Sequence, residues 1–282
     1  LGKHFLFGAA FLKTKMTESS FPFPACHPKG LSNSNTMIRK TICVAVLSIL
    51  AFSSLQAQFS LSFSQDSTLA PDHVGLDTLL QKYVSETGRV NYKGLKSEKA
   101  ALYAYCQLLG EHPVQDTWTR EEKMAYWINA YNAFTLRLIV DNYPAKSILH
   151  FDGGKTWDVK RIALGNKKYS LNQIENDILR PQFKDPRIHF AINCAAKSCP
   201  PLYNHAWQPE SLDSVLEVRT RTFINDPKFN TVNSSKISVS KIFDWYGADF
   251  GDLRQYLNRY ATTPAKPSAK IIFQEYDWGL NE

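Results

Sequence analysis

The chain has 282 residues, of which 44% are hydrophobic and 21% charged, and its formal net charge is +7. Residues 1–57 hold six of the 33 basic residues and one of the 26 acidic residues, so residues 58–282 carry a net charge of only +2. This near-neutral part gives no case for a protein that binds nucleic acid or a membrane surface. It is long enough to bury a core in one large domain or two small ones.

The N-terminal residues have the pattern of an exported protein. Residues 1–36 resemble an upstream extension that precedes the true start at Met37. From Met37 the chain has a basic segment, an apolar run of about a dozen residues and a small residue, Ala57, which together predict a signal peptide cleaved after Ala57. We therefore expect a periplasmic or secreted protein without a stable membrane anchor after cleavage. Residues 58–74 are polar and predict a flexible linker, and residues 75–282 form the predicted domain.

The helical segments come first in this domain. Apolar residues at helical spacing predict helices over residues 76–85 and 96–109. The sequence from Thr119 to Glu122 is a capping box that opens a further helix, residues 121–142. Because its middle is apolar nearly all round, we expect it to be the buried central helix. Asn129 and Asn132 share one face of this helix, where they either bond to neighbouring backbone or line a polar site.

Short strands and further helices follow. Residues 147–150, 157–164 and 167–169 predict strands or loops, with a turn at Gly165. A cap at Ser170 opens a helix that is expected to end at Pro181. Residues 187–194 alternate as a strand, residues 209–223 form an amphipathic helix, and residues 236–240 and 269–274 are strands. The expected fold class is α+β: a single domain with helices packed around a small, mostly antiparallel sheet and a buried central helix.

The most reactive groups lie in the stretch HFAINCAAKSCPPL, residues 189–202. If residues 187–194 are extended, His189 and Asn193 share one face, and Cys194 points to the core with its apolar neighbours. Cys199 follows a short turn and is then the better thiol partner for His189. Cys106, on an apolar helical face, is expected to be a buried core thiol.

Three interpretations of Cys194 and Cys199 remain open. The two thiols form a disulfide that closes the turn, as is common in an oxidising compartment. Alternatively, one of them is a nucleophile activated by His189. In the third interpretation the pair is a redox couple, although the C-x4-C spacing differs from the C-x-x-C of thioredoxin-like motifs.

Other side chains could support chemistry near these thiols. Glu175 lies in the helix after Ser170 and is either a solvated carboxylate or a group that orients the imidazole. Arg187 could bind a substrate anion or pair with Glu175 or Asp185. Trp245 and Trp278 are either core residues or sugar-stacking aromatics. His205 could join His189 and the two cysteines as a metal ligand, but the spacing is not typical of structural zinc sites, and we assign no metal and no cofactor.

Five motifs together resemble the DUF547 family, a family without an assigned function. They are WINAYNAFTL (127–136), SLNQIENDILRP (170–181), DPRIHFAINCAAKSCPPL (185–202), SKIFDWYGADF (240–250) and YDWGLN (276–281). The resemblance implies that the motif residues are Asn129, Asn132, Glu175, Arg187, His189, Asn193, Cys194, Cys199 and Pro200. The family often has a histidine where this chain has Asn176, and some of its members carry glutaredoxin-like domains.

Two functions follow as expectations. The first is a thiol-dependent hydrolase or acyl transferase in which a cysteine, preferably Cys199, attacks a carbonyl and His189 acts as base and then acid. Cys194, Asn193 and Glu175 complete this group, and Asn129, Asn132 and Arg187 are expected to bind substrate. The second is a non-enzymatic module that binds a small molecule or peptide and holds a Cys194–Cys199 disulfide.

Overall fold

The structure, a computed structural model, describes residues 69–282, so the predicted upstream extension and signal peptide lie outside the described residues. The α-helices are α1 (Val74–Tyr83), α2 (Tyr92–Ser97), α3 (Lys99–Glu111), α4 (Arg120–Asp141), α5 (Leu212–Asn225), α6 (Ile242–Trp245), α7 (Gly247–Phe250) and α8 (Leu253–Tyr260). The strands are β1 (Ile162–Leu164), β2 (Lys167–Tyr169), β3 (Thr231–Val232), β4 (Lys236–Val239) and β5 (Lys270–Phe273). A π-helix spans Gln173–Phe183, and 3-10 turns span Ile148–His150, Asp152–Gly154, Thr156–Asp158, Pro186–Phe190 and Pro209–Ser211.

Helix α4 is the buried central helix that the sequence predicts. Its capping box is present, because the Thr119 side chain accepts a hydrogen bond from the Glu122 N–H and the Glu122 carboxylate accepts one from the Thr119 N–H. Most of its side chains from Met124 onward are buried, on every face of the helix. Helices α2 and α3 pack against it, α1 packs against α2 and α3, and Cys106 on α3 is a buried core thiol as predicted.

The strands form two small sheets instead of the single one expected. Strands β1 and β2 make an antiparallel hairpin that turns at Gly165, whose φ of 57° lies in the left-handed region that glycine adopts freely. Strands β3, β4 and β5 make a separate sheet in which β3–β4 is antiparallel and β4–β5 parallel. The α+β class is confirmed, and the sheet near the C-terminus is mixed.

The helix that opens at Ser170 differs from the prediction at its end. Its cap is present, because Ser170 Oγ accepts the Gln173 N–H at 3.1 Å. The helix nevertheless continues through Pro181 to Phe183 as a π-helix and ends at Lys184, which has a φ of 50°. A π-helix is wider than an α-helix, so it can accommodate the proline ring that ends most α-helices.

A second hydrophobic cluster lies near the C-terminus of the domain. It includes phenylalanines from separate elements, with Phe190, Phe223, Phe243 and Phe250 in ring contact. Because Phe190 follows His189 directly, this cluster anchors the segment that leads to the cysteines. Within residues 69–282, no helix is long and apolar enough to cross a membrane.

Candidate functional site

The segment before the cysteines is a 3-10 turn, so the predicted strand over residues 187–194 is wrong. Asp185 and Pro186 start the turn: the Asp185 side chain accepts the Arg187 N–H at 3.0 Å, and proline fits the first helical position. Residues after Phe190 are irregular. Side chains therefore do not alternate between two faces in this segment. The predictions that Cys194 points to the core and that Cys199 pairs with His189 both depended on that alternation, so they lose their basis.

Two buried asparagines hold the chain between this turn and the cysteines. The Asn132 amide on α4 donates to the Ala191 carbonyl at 2.9 Å and accepts the Asn193 N–H at 2.9 Å. Asn193 in turn accepts the Ala195 N–H at 2.8 Å and donates to the Pro200 carbonyl at 2.8 Å. Both side chains thus satisfy backbone groups that would otherwise be buried without partners.

A left-handed residue brings the two cysteines together. Ala195 has a φ of 62°, which is unfavourable for a residue with a Cβ atom by about 1 kcal/mol. Its N–H is held by Asn193 and its carbonyl accepts the Asn281 N–H at 3.1 Å. The surrounding hydrogen bonds therefore fix a turn that local preference alone would not select.

Cys194 and Cys199 are free thiols whose sulfurs lie 3.0 Å apart. The Cys194 N–H donates to Cys199 Sγ at 3.1 Å, and Cys194 Sγ lies 3.1 Å from the Tyr276 hydroxyl. Cys194 is half-buried, whereas Cys199 is buried, with 6% of its surface exposed. The two thiols share hydrogen bonds but differ in access.

The two thiols also differ in pKa, because their contacts and burial shift it in opposite directions. The hydrogen bond with Cys199, together with donors from Tyr276 and the Ala196 N–H, lowers the pKa of Cys194 below its ordinary value and outweighs burial. Burial raises the pKa of Cys199 well above its ordinary value, despite the N–H that Cys194 directs at it. Of the two, Cys194 is therefore the thiol that ionises first.

The thiols lie in the wall of a cavity of about 250 Å³. Its other walls come from α4, the π-helix, the His189 turn, α6 and the C-terminal segment. The lining residues are Tyr131, Trp157, Asn172, Glu175, Asn176, His189, Ile192, Cys194, Cys199, Pro200, Ile242, Trp245, Tyr246, Tyr276 and Trp278. A concave, largely apolar site with a few polar groups and a thiol of perturbed pKa has the features of a binding or active site.

His189 contacts Asp249 and Tyr246 and makes no hydrogen bond to the thiols. Its Nε2 lies 2.8 Å from Asp249 Oδ2, and Arg180 Nε donates to the same oxygen at 2.6 Å. The imidazole also stacks on the Tyr246 ring at 4.1 Å. The hydrogen bonds from His189 and Arg180 lower the pKa of Asp249 below its ordinary value. Among the described residues, no hydrogen bond joins His189 to either sulfur.

Glu175 is a buried carboxylate in the cavity wall, with 5% of its surface exposed. The interpretation of Glu175 as a solvated carboxylate is therefore wrong. The pKa of Tyr246 is raised, mainly by burial and further by the Glu175 charge and a hydrogen bond between the two side chains. Burial and the same charge raise the pKa of Tyr131. Glu175 thus lies among phenols that remain protonated donors at neutral pH.

The structure separates the predicted site residues into two groups. Glu175, His189, Cys194 and Cys199 line the cavity together. Asn129 bonds with both the N–H and the carbonyl of Trp207, and Asn132 and Asn193 bond with the chain around the cysteines, so all three asparagines have partners within the fold.

Arg187, expected to bind substrate, lies outside the cavity lining. Its guanidinium pairs with Asp185 at 2.8 Å and with Asp213 at 2.7 Å. His205, considered as a metal ligand, instead contacts Asp77 at 3.2 Å. No group of three or more His, Cys, Asp or Glu in residues 69–282 is placed to hold a metal ion.

Two contacts at the site involve residues that the sequence patterns do not identify. Tyr276 contacts Cys194, and Asp249 holds His189, yet neither was singled out. Both lie in the motifs at 240–250 and 276–281, whose density of aromatic and acidic residues was the available signal. Trp245 and Trp278 were weighed as core or ligand-stacking residues, and both line the cavity.

Comparisons with known proteins give one match. The family model described as "Protein of unknown function, DUF547" matches residues 115–224, which include α4, the π-helix, His189 and both cavity thiols. This match confirms the resemblance over that segment. No curated protein and no solved structure matches the chain.

Proposed function

We propose that this DUF547-like domain is a thiol–disulfide oxidoreductase in which Cys194 attacks the substrate and Cys199 resolves the intermediate. The observation that carries the proposal is the contact between the two sulfurs, 3.0 Å apart at the wall of a cavity. A half-buried thiol of lowered pKa in contact with a buried thiol of raised pKa is the asymmetry that this chemistry requires.

The reaction balances with these two residues. The Cys194 thiolate attacks one sulfur of a substrate disulfide, the substrate S–S bond breaks, and one thiolate leaves with the electron pair. Cys199 then attacks the Cys194 sulfur of the mixed disulfide, gives its proton to the leaving thiolate and releases the second half of the substrate. The substrate gains two electrons, the protein holds a Cys194–Cys199 disulfide, and an external thiol reductant restores the dithiol.

The experiment uses hydroxyethyl disulfide and mass measurement of the intact protein. In the Cys199→Ser variant, Cys194 should accumulate one mixed disulfide, because no neighbouring thiol remains to resolve it. The wild type should instead lose two hydrogens and carry no adduct. Cys194→Ser should react far more slowly, and buried Cys106, whose pKa is raised to about 12 by burial, should react in none of them. A Cys199→Ser variant that stays unmodified under conditions that oxidise the wild type would overturn the proposal.

A second candidate is the thiol-dependent hydrolase or acyl transferase, with Cys194 in place of Cys199 as nucleophile. The observation that favours it is that Glu175 and His189 line the same cavity as Cys194 and could transfer protons to a leaving group. Such an enzyme needs no second thiol. Cys199→Ser should therefore retain ester hydrolysis, measured with p-nitrophenyl acetate, whereas Cys194→Ser should lose it.

The thiol state also tests the non-enzymatic alternative. A Cys194–Cys199 disulfide that resists dithiothreitol in the folded protein would favour a module that binds a small molecule or peptide. Thiols that cycle between the reduced and oxidised forms would favour the oxidoreductase.

We further propose that the protein acts in the periplasm or outside the cell, without a stable membrane anchor. Support comes from the signal-peptide pattern between Met37 and Ala57. N-terminal sequencing of protein recovered from the periplasm or medium should begin at Gln58. Recovery of uncleaved protein from the cytoplasm alone would contradict this location.

A further inference from the structure

The aromatic walls of the cavity are its most distinctive feature outside the thiol pair. Trp157 and Trp278 meet edge to face at 5.6 Å, and Trp278 stacks on Trp245 at 5.8 Å. Tyr276 contacts both Trp245 and Trp278, at 4.8 and 4.5 Å. Trp245 is 45% exposed, so part of its ring is accessible at the cavity that it lines.

The charges of the lining complement these rings. Glu175 is buried in the wall, and none of the described lining residues is Lys or Arg. Arg180, on the same π-helix, is held by Asp249 and packs on the Tyr246 ring. The cavity therefore contains a buried carboxylate and several aromatic rings without a lysine or arginine in the described lining, and the one histidine there, His189, is hydrogen-bonded to Asp249.

We propose that the cavity binds ligands that carry an organic ammonium group, with the cation held between the aromatic rings and the Glu175 carboxylate. An ammonium group is attracted to aromatic faces, most strongly where water is excluded, and a buried carboxylate favours the same charge. The proposal deepens the proposed function, since it names the substrate class that would reach Cys194.

The size of the cavity limits the ligand. A volume of about 250 Å³ is below the range of about 300–1,000 Å³ typical of sites for drug-sized molecules. It suits a small amine or a single cationic side chain. The cation would lie in the same cavity as Cys194, so a disulfide a few bonds from an amine is the expected substrate.

The test measures binding in the Cys194→Ser variant, in which thiol chemistry is absent. The probes are choline and its neutral analogue dimethylbutanol, in which a carbon atom replaces the charged nitrogen. The two molecules have nearly the same shape and differ in the positive charge. Trp157, Trp245 and Trp278 supply a fluorescence signal. We expect choline to bind roughly tenfold more tightly than dimethylbutanol, the size that a cation–π contact gives in a desolvated site. Equal binding, or tighter binding of dimethylbutanol, would overturn the proposal.

Variants identify the groups responsible. Glu175→Gln should remove most of the preference for choline, whereas Glu86→Gln, at an exposed position, should leave it intact. Because Glu175 is buried, its variant could fail to fold, so Trp245→Leu provides a second measurement at a partly exposed position. It should weaken choline binding and leave dimethylbutanol binding nearly unchanged. Tighter binding of methyl glucoside than of choline would identify a sugar site instead and would also overturn the proposal.

A kinetic comparison separates this proposal from the proposed function. Cystamine, a disulfide with two ammonium groups, and neutral hydroxyethyl disulfide are reacted with Cys199→Ser. Faster modification by cystamine that depends on Glu175 supports both proposals. Tight choline binding without any mixed disulfide would remove the oxidoreductase and keep the ammonium site. Equal rates with both disulfides, and no choline preference, would remove the ammonium site and keep the oxidoreductase.

Discussion

Asp249 Oδ2 accepts hydrogen bonds from both His189 Nε2 at 2.8 Å and Arg180 Nε at 2.6 Å. This relationship fixes the imidazole against the Tyr246 ring, at the edge of the cavity that holds the thiols. A carboxylate that orients an imidazole is a recurring arrangement at protein sites. Here it makes His189 a rigid part of the wall.

Asp249→Asn should therefore destabilise the protein by about 2 kcal/mol, since hydrogen bonds to charged groups contribute about 1.5–3 kcal/mol. The measurement is urea unfolding near neutral pH. Asp244→Asn is the matched control on the same stretch of chain, where Asp244 pairs with Lys241 at the surface. It should cost less than about 1 kcal/mol. Similar losses in both variants would mean that the His189–Asp249 contact contributes little.

The same carboxylate predicts a pH dependence. The pKa of Asp249 is lower in the folded state than its unfolded value of about 4. Its contribution to stability is therefore fully present above that unfolded pKa and is lost as the pH falls toward the folded one. Below pH 4, wild type should lose stability more steeply than Asp249→Asn, and parallel curves would contradict this assignment.

Tyr276→Phe tests the donor to Cys194. Loss of the hydroxyl 3.1 Å from Sγ should raise the pKa of Cys194 and slow its alkylation at neutral pH, because the thiolate loses a hydrogen bond. The measurement is the pH dependence of the iodoacetamide reaction. Tyr126→Phe is the control, since its buried hydroxyl bonds the Leu109 carbonyl and does not line the cavity. An unchanged alkylation profile in Tyr276→Phe would show that the hydroxyl does not stabilise the thiolate.

Asn129 and Asn132 form a matched pair on one helix. Each side chain satisfies one buried N–H and one buried carbonyl, at Trp207 for Asn129 and at Ala191 and Asn193 for Asn132. Replacement of either by Ala should cost about 2–4 kcal/mol, because buried backbone groups lose their partners.

The two variants should differ in thiol reactivity. Only Asn132→Ala loosens the segment that leads to Cys194, so only it should change the alkylation rate of that thiol in the folded protein. If Asn129→Ala changes this rate equally, the effect is global and the loop is not held by Asn132 in particular.

We expect a second pH dependence of stability from His73, which does not line the cavity. It is buried against the Tyr105 hydroxyl at 2.8 Å, and burial lowers its pKa from 6.5 to about 4. Between these values the unfolded chain binds a proton that the folded protein does not, so stability falls as the pH drops from 6.5 to about 4.

The loss from this group is about 3 kcal/mol, at 1.36 kcal/mol per pKa unit. His73→Gln should flatten the stability curve in this window, as measured by urea unfolding at several pH values. A wild-type curve that His73→Gln leaves unchanged would exclude a buried neutral histidine at this position.

The sequence determined the features that depend on neighbouring residues. The capping box at Thr119, the burial of α4 and the buried thiol of Cys106 follow from local hydrogen bonding and apolar periodicity, which act over a few turns of helix. The strand predicted over residues 187–194 is wrong although polar and apolar residues alternate there. Asp185 and Pro186 start a 3-10 turn, and the irregular chain that follows has no regular spacing of side chains.

The cavity was decided by tertiary structure. Tyr276 reaches Cys194 across 82 residues, and Asp249 reaches His189 across 60. Local preference cannot specify such contacts, because they arise when separate hydrophobic clusters pack and bring distant loops together. The left-handed turn at Ala195, held by Asn193 and the Asn281 N–H, is likewise a product of packing. It brings the two thiols into contact at the wall of the cavity.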